Sequence, residues 1–233
     1  MASLTTDTTV GQFVADRPGR ARVFERLGID FCCGGKLTLA QACRRKGVDA
    51  GTTLATLLDQ EDSGAANPVE GMTLSELCDH IEKTHHARLR AELPRLGAML
   101  RKVAGVHGLY HPWVHDMVAV FDAFDLELRE HMVKEERVLF PLIRRIEAGE
   151  SSALLSTPGI TSPIAVMESE HEQAGEALVR LRTLSNGFTA PDGACGTFLA
   201  MLDGLRELET DMHWHVHKEN NVLFPRALAA AGH

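Results

Sequence analysis

Long unbroken apolar runs are missing from this 233-residue sequence. No window approaches the roughly 18 residues that a membrane span needs, and the N-terminal stretch has no apolar core of a secretory signal. The expectation is a cytoplasmic chain with no membrane partner. Basic clusters are equally scarce: Arg44-Arg45-Lys46 and Arg144-Arg145 are the longest, and the formal net charge is −8 with a pI near 5.8. That charge balance argues against nucleic acid as a partner, because phosphate binding rests on Lys and Arg. Strand signals are nearly absent. Cysteine is sparse and odd in number, and Cys32, Cys33, Cys43, Cys78 and Cys195 suggest no disulfide framework, as befits a reducing compartment. What remains is 44% apolar against 24% charged residues, enough to build a core beneath a polar surface.

The clearest break is Asp62-Ser63-Gly64-Ala65-Ala66-Asn67-Pro68, a stretch of small, polar and helix-breaking residues. It divides the chain into a small helical domain over 1–62, a linker over 63–71 and a larger domain over 72–233. Upstream, Val10, Phe13 and Val14, then Val23, Phe24 and Leu27, then Leu54, Leu57 and Leu58 fall at helical spacing, and Thr38 with Gln41 has the form of a capping box. Downstream, Thr73 with Glu76 forms another, and apolar periodicity runs through roughly 73–103, 112–148, 162–185 and 195–230. Connections rich in Gly, Pro, Ser or Asn separate these segments. The expected fold is all-α: an antiparallel four-helix bundle preceded by a small helical domain.

An internal repeat carries the chemistry. His131-Met-Val-Lys-Glu-Glu-Arg-Val-Leu-Phe-Pro141 returns as His215-Val-His-Lys-Glu-Asn-Asn-Val-Leu-Phe-Pro225, with seven of eleven positions identical. His86, followed by Leu93, Arg95 and Leu96, recurs as His171, followed by Leu178, Arg180 and Leu181. Each copy supplies one histidine on its first helix and a His-x-x-x-Glu on its second. Residues four apart share a helix face, so His131 with Glu135, and His215 with Glu219, can aim an imidazole and a carboxylate at one point. Four imidazoles and two carboxylates exceed a closed tetrahedral zinc site; they suit two iron ions that share carboxylates and keep positions open for a small ligand.

The repeat also separates neighbours. Glu136 corresponds to Asn220 and His85 to Glu170, so neither is repeated, whereas Glu135 and His86 are. His213 and His217 lie on another face of the helix from His215. His80, His107, His111, His115 and His233 read as incidental. Val138, Leu139 and Phe140, with Val222, Leu223 and Phe224, read as bundle core. Cys43, Cys78 and Cys195 belong to no motif and are expected to be buried structural thiols.

Asp30-Phe-Cys-Cys-Gly-Gly-Lys36, His131-x-x-x-Glu135, Met167-Glu-Ser-Glu-His171 and Glu219-Asn-Asn-Val-Leu-Phe-Pro225 together resemble the repair-of-iron-centres family, and the resemblance spans essentially the whole chain. It implies a hemerythrin-like di-iron bundle behind a cysteine module, with the ligands matching His86, His131, Glu135, His171, His215 and Glu219. It also implies restoration of iron–sulfur clusters damaged by nitric oxide or oxidants, with damaged iron–sulfur proteins as clients and iron as the donated cargo. A related reading makes the two irons a nitric oxide reductase forming nitrous oxide; a third, a non-catalytic binder or sensor of dioxygen or nitric oxide, leaves the cysteine module unexplained. Association of two chains stays open. Cys32 and Cys33, ahead of a capped helix and beside Lys36, are candidate redox or iron-handling thiols with an expected low pKa; the plainer alternative is a tight turn that needs its glycines.

Overall fold

The computed structural model describes residues 4–59, 69–150 and 159–232. The break at Asp62–Pro68, most of the expected linker 63–71, and His233 lie outside the described residues. Among the described residues eleven α-helices follow in order: α1 (Val10–Asp16), α2 (Ala21–Leu27), α3 (Leu39–Lys46), α4 (Ala50–Asp59), α5 (Leu74–Ile81), α6 (Ala87–His107), α7 (Trp113–Lys134), α8 (Phe140–Glu147), α9 (Thr161–Leu184), α10 (Gly196–Lys218) and α11 (Phe224–Ala230). No strand occurs among the described residues. The chain divides into two compact units, one comprising Met1–Leu77 with His213–His233, the other Cys78–Met212.

In the first unit, α1 to α4 surround Val10, Phe13, Val14, Phe24, Leu39 and Leu57, with Trp214 packed against them. Local signals set the helix ends. Thr9 caps α1, the Thr38–Gln41 capping box opens α3, and Gly28 and Gly47 close α2 and α3 in the left-handed conformation that glycine adopts without strain. Arg20 is buried within this core. It is tolerated there because its guanidinium donates to the carbonyls of Leu57 at 3.1 Å and Phe13 at 3.3 Å and pairs with Asp16 at 2.5 Å.

In the second unit, Leu89, Leu93, Leu96, Leu100 and Val103 form the buried stripe of α6, and the long helices run antiparallel. Contacts pair Arg90 with Glu136 and Arg101 with Asp122 between α6 and α7, His131 with Glu170 between α7 and α9, and Arg182 with Glu209 between α9 and α10. The expected long segments are therefore present. Three of them, however, are interrupted by one wider π turn, at Glu82–His86, Glu135–Leu139 and Glu219–Leu223, where the closing amides of Ala87, Phe140 and Phe224 reach back five residues to Glu82, Glu135 and Glu219.

Two of these turns have a sequence cause. Pro141 and Pro225 lack an N–H, and in a regular α-helix their rings press on the carbonyls four residues back, at Arg137 and Asn221; widening the preceding turn relieves the crowding. Leu139, Phe140, Leu223 and Phe224 fill core as expected, but Val138 is 57% exposed, so the first residue of that tail faces outward. No proline accompanies the turn at Glu82–His86.

Candidate metal centre

Within the second unit, the chain brings His86, His131, Glu135 and His171 together. All four are buried, Glu135 and His86 at 0% exposure. Glu135 opens the π turn that follows α7, and its carboxylate meets His86 Nε2 at 3.2 Å and His131 Nε2 at 3.4 Å. His171, from α9, places its Nε2 3.1 Å from that of His131. Three imidazole nitrogens and a carboxylate thus converge on one buried point. The donor set fits a cation: two nitrogens each about 2.1 Å from one ion, in adjacent coordination positions, stand about 3 Å apart.

A second ring of carboxylates stands behind the imidazoles. His86 Nδ1 lies 2.7 Å from Glu136 and His131 Nδ1 lies 2.9 Å from Glu170. Each outer carboxylate is itself anchored, Glu136 by Arg90 at 2.7 Å and Glu170 by Lys134. Burial pushes the Glu136 carboxyl up, but the hydrogen bonds from Arg90 and His86 outweigh it and hold the group below its ordinary value. For Glu170 the His131 hydrogen bond is the largest influence; with Lys134 it overcomes burial and brings the pKa down to about 2. Both carboxylates therefore stay charged across the physiological range, fixing Nδ1 as the protonated nitrogen and leaving Nε2 as a lone-pair donor facing Glu135. His86 is further held by stacking on Phe140, with ring centroids 5.8 Å apart.

Sequence reasoning passed over Glu136 and Glu170. Their mark is position: Glu136 follows Glu135 directly, and Glu170 precedes His171, each on a helix that also carries a converging side chain. A cavity of about 160 Å³ lined by Phe124, Leu128, His131, Lys134, Glu170 and His171 leads to the two imidazoles.

In the first unit, His215 Nε2 meets Glu219 Oε1 at 3.0 Å, and both side chains are fully buried. The same helical segment holds the Cys-Cys-Gly-Gly loop. Asn221 donates to the carbonyls of Cys32 at 2.9 Å and Phe31 at 3.3 Å, and His217 Nδ1 also faces the Phe31 carbonyl at 3.3 Å. His213, Trp214 and His217 all pack their rings around Phe31. Burial is the chief reason the His217 pKa falls to about 4, so the ring is neutral and accommodated in that contact. Gly11 and Gly35 are required by closeness rather than by backbone conformation: a Cβ on either would lie 2.1 Å from Asn221 Oδ1.

The loop corrects the expectation of a lowered pKa at Cys32. Cys33–Lys36 form a 3₁₀ turn, and the N-cap of α3 is Thr38, so the cysteines do not sit at the positive end of that helix. Cys32 is buried, its Sγ 4.0 Å from that of Cys33 and 3.1 Å from Asp30 Oδ1. The Cys33 contact, then burial, then the Asp30 charge raise the Cys32 pKa well above the ordinary thiol value. Asp30 also accepts from the backbone amides of Cys32 and Cys33, at 2.9 and 3.0 Å. Cys43 and Cys78 are buried as expected, but Cys195 is exposed: it stands in the loop that opens α10, ahead of the buried face.

Comparison with known proteins gives the context. Residues 79–227 match the Hemerythrin HHE cation binding domain, and residues 6–61 match a Domain of Unknown function, DUF542. The chain is 38% identical over 223 residues to the "Iron-sulfur cluster repair protein YtfE" of Escherichia coli O157:H7, covering 96% of this chain and 97% of that protein. It is 37% identical over the same span to the proteins of that name in Escherichia coli O1:K1 and Escherichia fergusonii. A cation-binding domain thus lies where the buried histidines and carboxylates converge, and the chain belongs to the family of iron–sulfur cluster repair proteins, with a hemerythrin-type domain behind a small N-terminal one.

Proposed function

We propose that the protein repairs iron–sulfur clusters damaged by nitric oxide or oxidants, and that His86, His131, Glu135, His171, His215 and Glu219 together hold two iron ions, one or both of which are passed to the damaged client. The observation that carries the reading is the orientation of His86 and His131, each offering Nε2 inward to Glu135 while an anchored carboxylate takes Nδ1. That double arrangement is characteristic of metal-ligating histidine. The match to the cation-binding family, over residues 79–227, includes both His-x-x-x-Glu motifs, which supports assigning the second pair to the same centre. When bound, iron supplies a redox-active centre with positions open to small ligands such as nitric oxide or dioxygen.

The residues of the chain set how firmly the cargo is held. Imidazole and carboxylate donors retain ferrous iron less tightly than an all-thiolate set, which suits release. Glu136 and Glu170 keep the imidazoles oriented and in the correct tautomer. Asp30, Cys32 and Cys33, whose donor atoms lie within 4.8 Å of one another, are assigned as the thiol site that handles iron or electrons on the way to the client. The cavity against His131 and His171 favours a second reading, nitric oxide reduction to nitrous oxide. Among the described residues no helix is long and apolar enough to cross a membrane, and we place the activity in the cytoplasm, where damaged iron–sulfur proteins are found.

Anaerobic protein loaded with isotopically labelled ferrous iron is expected to reactivate a nitric-oxide-treated iron–sulfur enzyme and to leave label in its cluster. Catalytic nitrous oxide without label transfer would replace repair by the reductase reading. In the same assay, Glu170→Gln and Glu136→Gln each weaken iron binding by about 10- to 100-fold. Unchanged iron titrations for both variants would remove the outer carboxylates from the proposal.

A further inference from the structure

The second unit carries another reactive group far from the converging donors. His107 closes α6, while His86 stands immediately before it; at 1.5 Å per residue the two ends lie about 30 Å apart. Cys195 Sγ lies 3.3 Å from His107 Nε2. Its carbonyl accepts from the Leu199 amide at 3.1 Å, which makes Cys195 the N-cap of α10. Its sulfur also takes the amides of Phe198 and Thr197, as a capping hydroxyl or carboxylate would. Phe198 packs behind, with the rings of His107, His111 and Trp113 at centroid distances of 5.4, 5.9 and 5.7 Å. The sulfur itself is exposed.

We infer that Cys195 and His107 form a second reactive site, at which the Cys195 thiolate exchanges with low-molecular-mass disulfides and becomes a mixed disulfide. As the thiol ionises its proton passes to His107 Nε2, 3.3 Å away. The thiolate attacks one sulfur of R–S–S–R: the Cys195–sulfur bond forms, the original S–S bond breaks, and the departing thiolate takes the proton from His107. Cys195 is oxidised as the leaving sulfur is reduced, so no further oxidant is needed. The Phe198 amide and then His107 stabilise the anion and lower the Cys195 pKa to about 7, against a weaker opposing effect of burial. His107 is the titratable side chain in contact with the sulfur; His111 faces Phe198 on the far side.

The test uses the full-length, iron-loaded protein with glutathione disulfide, the adduct located by mass spectrometry and its rate followed across neutral pH. Cys195 is expected to react before the other four cysteines, with a half-maximal rate near pH 7. At that pH it should react roughly three- to sixfold faster than an ordinary exposed thiol, because a larger thiolate fraction is partly offset by lower intrinsic nucleophilicity. Cys195→Ser removes the fast phase, and His107→Gln moves the midpoint upward. A first adduct on Cys33, or a midpoint indifferent to His107→Gln, overturns the assignment. If either variant misfolds the wild-type profile decides, since a midpoint near the ordinary thiol value of about 8.5 refutes it.

Discussion

Glu135→Ala should leave the protein folded and unable to retain iron. Its carboxylate lies within 3.4 Å of the Nε2 atoms of both His86 and His131, so one substitution removes the carboxylate that stands between two neighbouring imidazoles. The loss exceeds that of an outer carboxylate, and affinity falls by more than about 100-fold. Stability discriminates this role from a structural one. A fully buried carboxylate costs desolvation energy that close partners repay only in part. Without metal, the alanine variant is therefore expected to unfold at the same temperature as the metal-free parent or higher, although it forfeits the stabilisation that bound iron gives the parent. Iron content by elemental analysis, with thermal melts in the presence and absence of iron, tests both halves. A variant that keeps its iron, or that melts well below the metal-free parent, contradicts the assignment of Glu135 as a shared ligand.

Gly35→Ala is expected to loosen the cysteine loop through a single clash. The new methyl would lie 2.1 Å from Asn221 Oδ1 and 2.7 Å from its Cγ, so the carboxamide must swing away and surrender its bonds to the Cys32 and Phe31 carbonyls. Losing both, with carbonyls partly shielded from water, costs about 2–3 kcal/mol. Adding Asn221→Ala removes the obstruction, and the pair should be less destabilised than the sum of the two single changes. Gly11→Ala behaves differently. There Asn221 Cβ itself is 3.0 Å from the added methyl, so Asn221→Ala gives little relief. Denaturant unfolding of the four variants and the parent, with Cys32 alkylation as a local probe, measures these couplings. Additive effects for Gly35→Ala and Asn221→Ala would show that the loop is not held by this contact.

The divergence between sequence and structure has physical roots. Helix positions were legible because apolar spacing and capping boxes are local: Thr73 and Glu76 exchange the bonds their spacing implies, at 2.8 and 3.1 Å. The repeat made His86, His131, Glu135 and His171 stand out because a duplicated hairpin preserves what faces its interior. The same logic hid Glu136 and Glu170. Supporting carboxylates need not be duplicated, and Asn220 and His85 occupy the corresponding places, so a comparison that rewards recurrence discards them. From sequence, Cys32 is expected to be acidic and Cys195, which is exposed, to be buried, and neither environment is local. Their ionisation depends on Asp30, on burial and on His107 88 residues away in the chain, none of which a motif reports. The division into domains over 1–62 and 72–233 remains a proposal, since segment 62–68 is not among the described residues.

The widened turns have a consequence for how a helix can serve two masters. An uninterrupted α-helix advances about 100° per residue, so the phase of its first half dictates that of its second. At Glu135–Leu139 one additional residue resets that phase: upstream, His131 keeps its aim at the donors, while downstream, Phe140 and Ile143 remain wholly enclosed. The proline just beyond prevents a return to the narrower geometry. Alignment of the donors and retention of the apolar tail are thereby decoupled, and mutation can adjust either half of the rod without rotating the other.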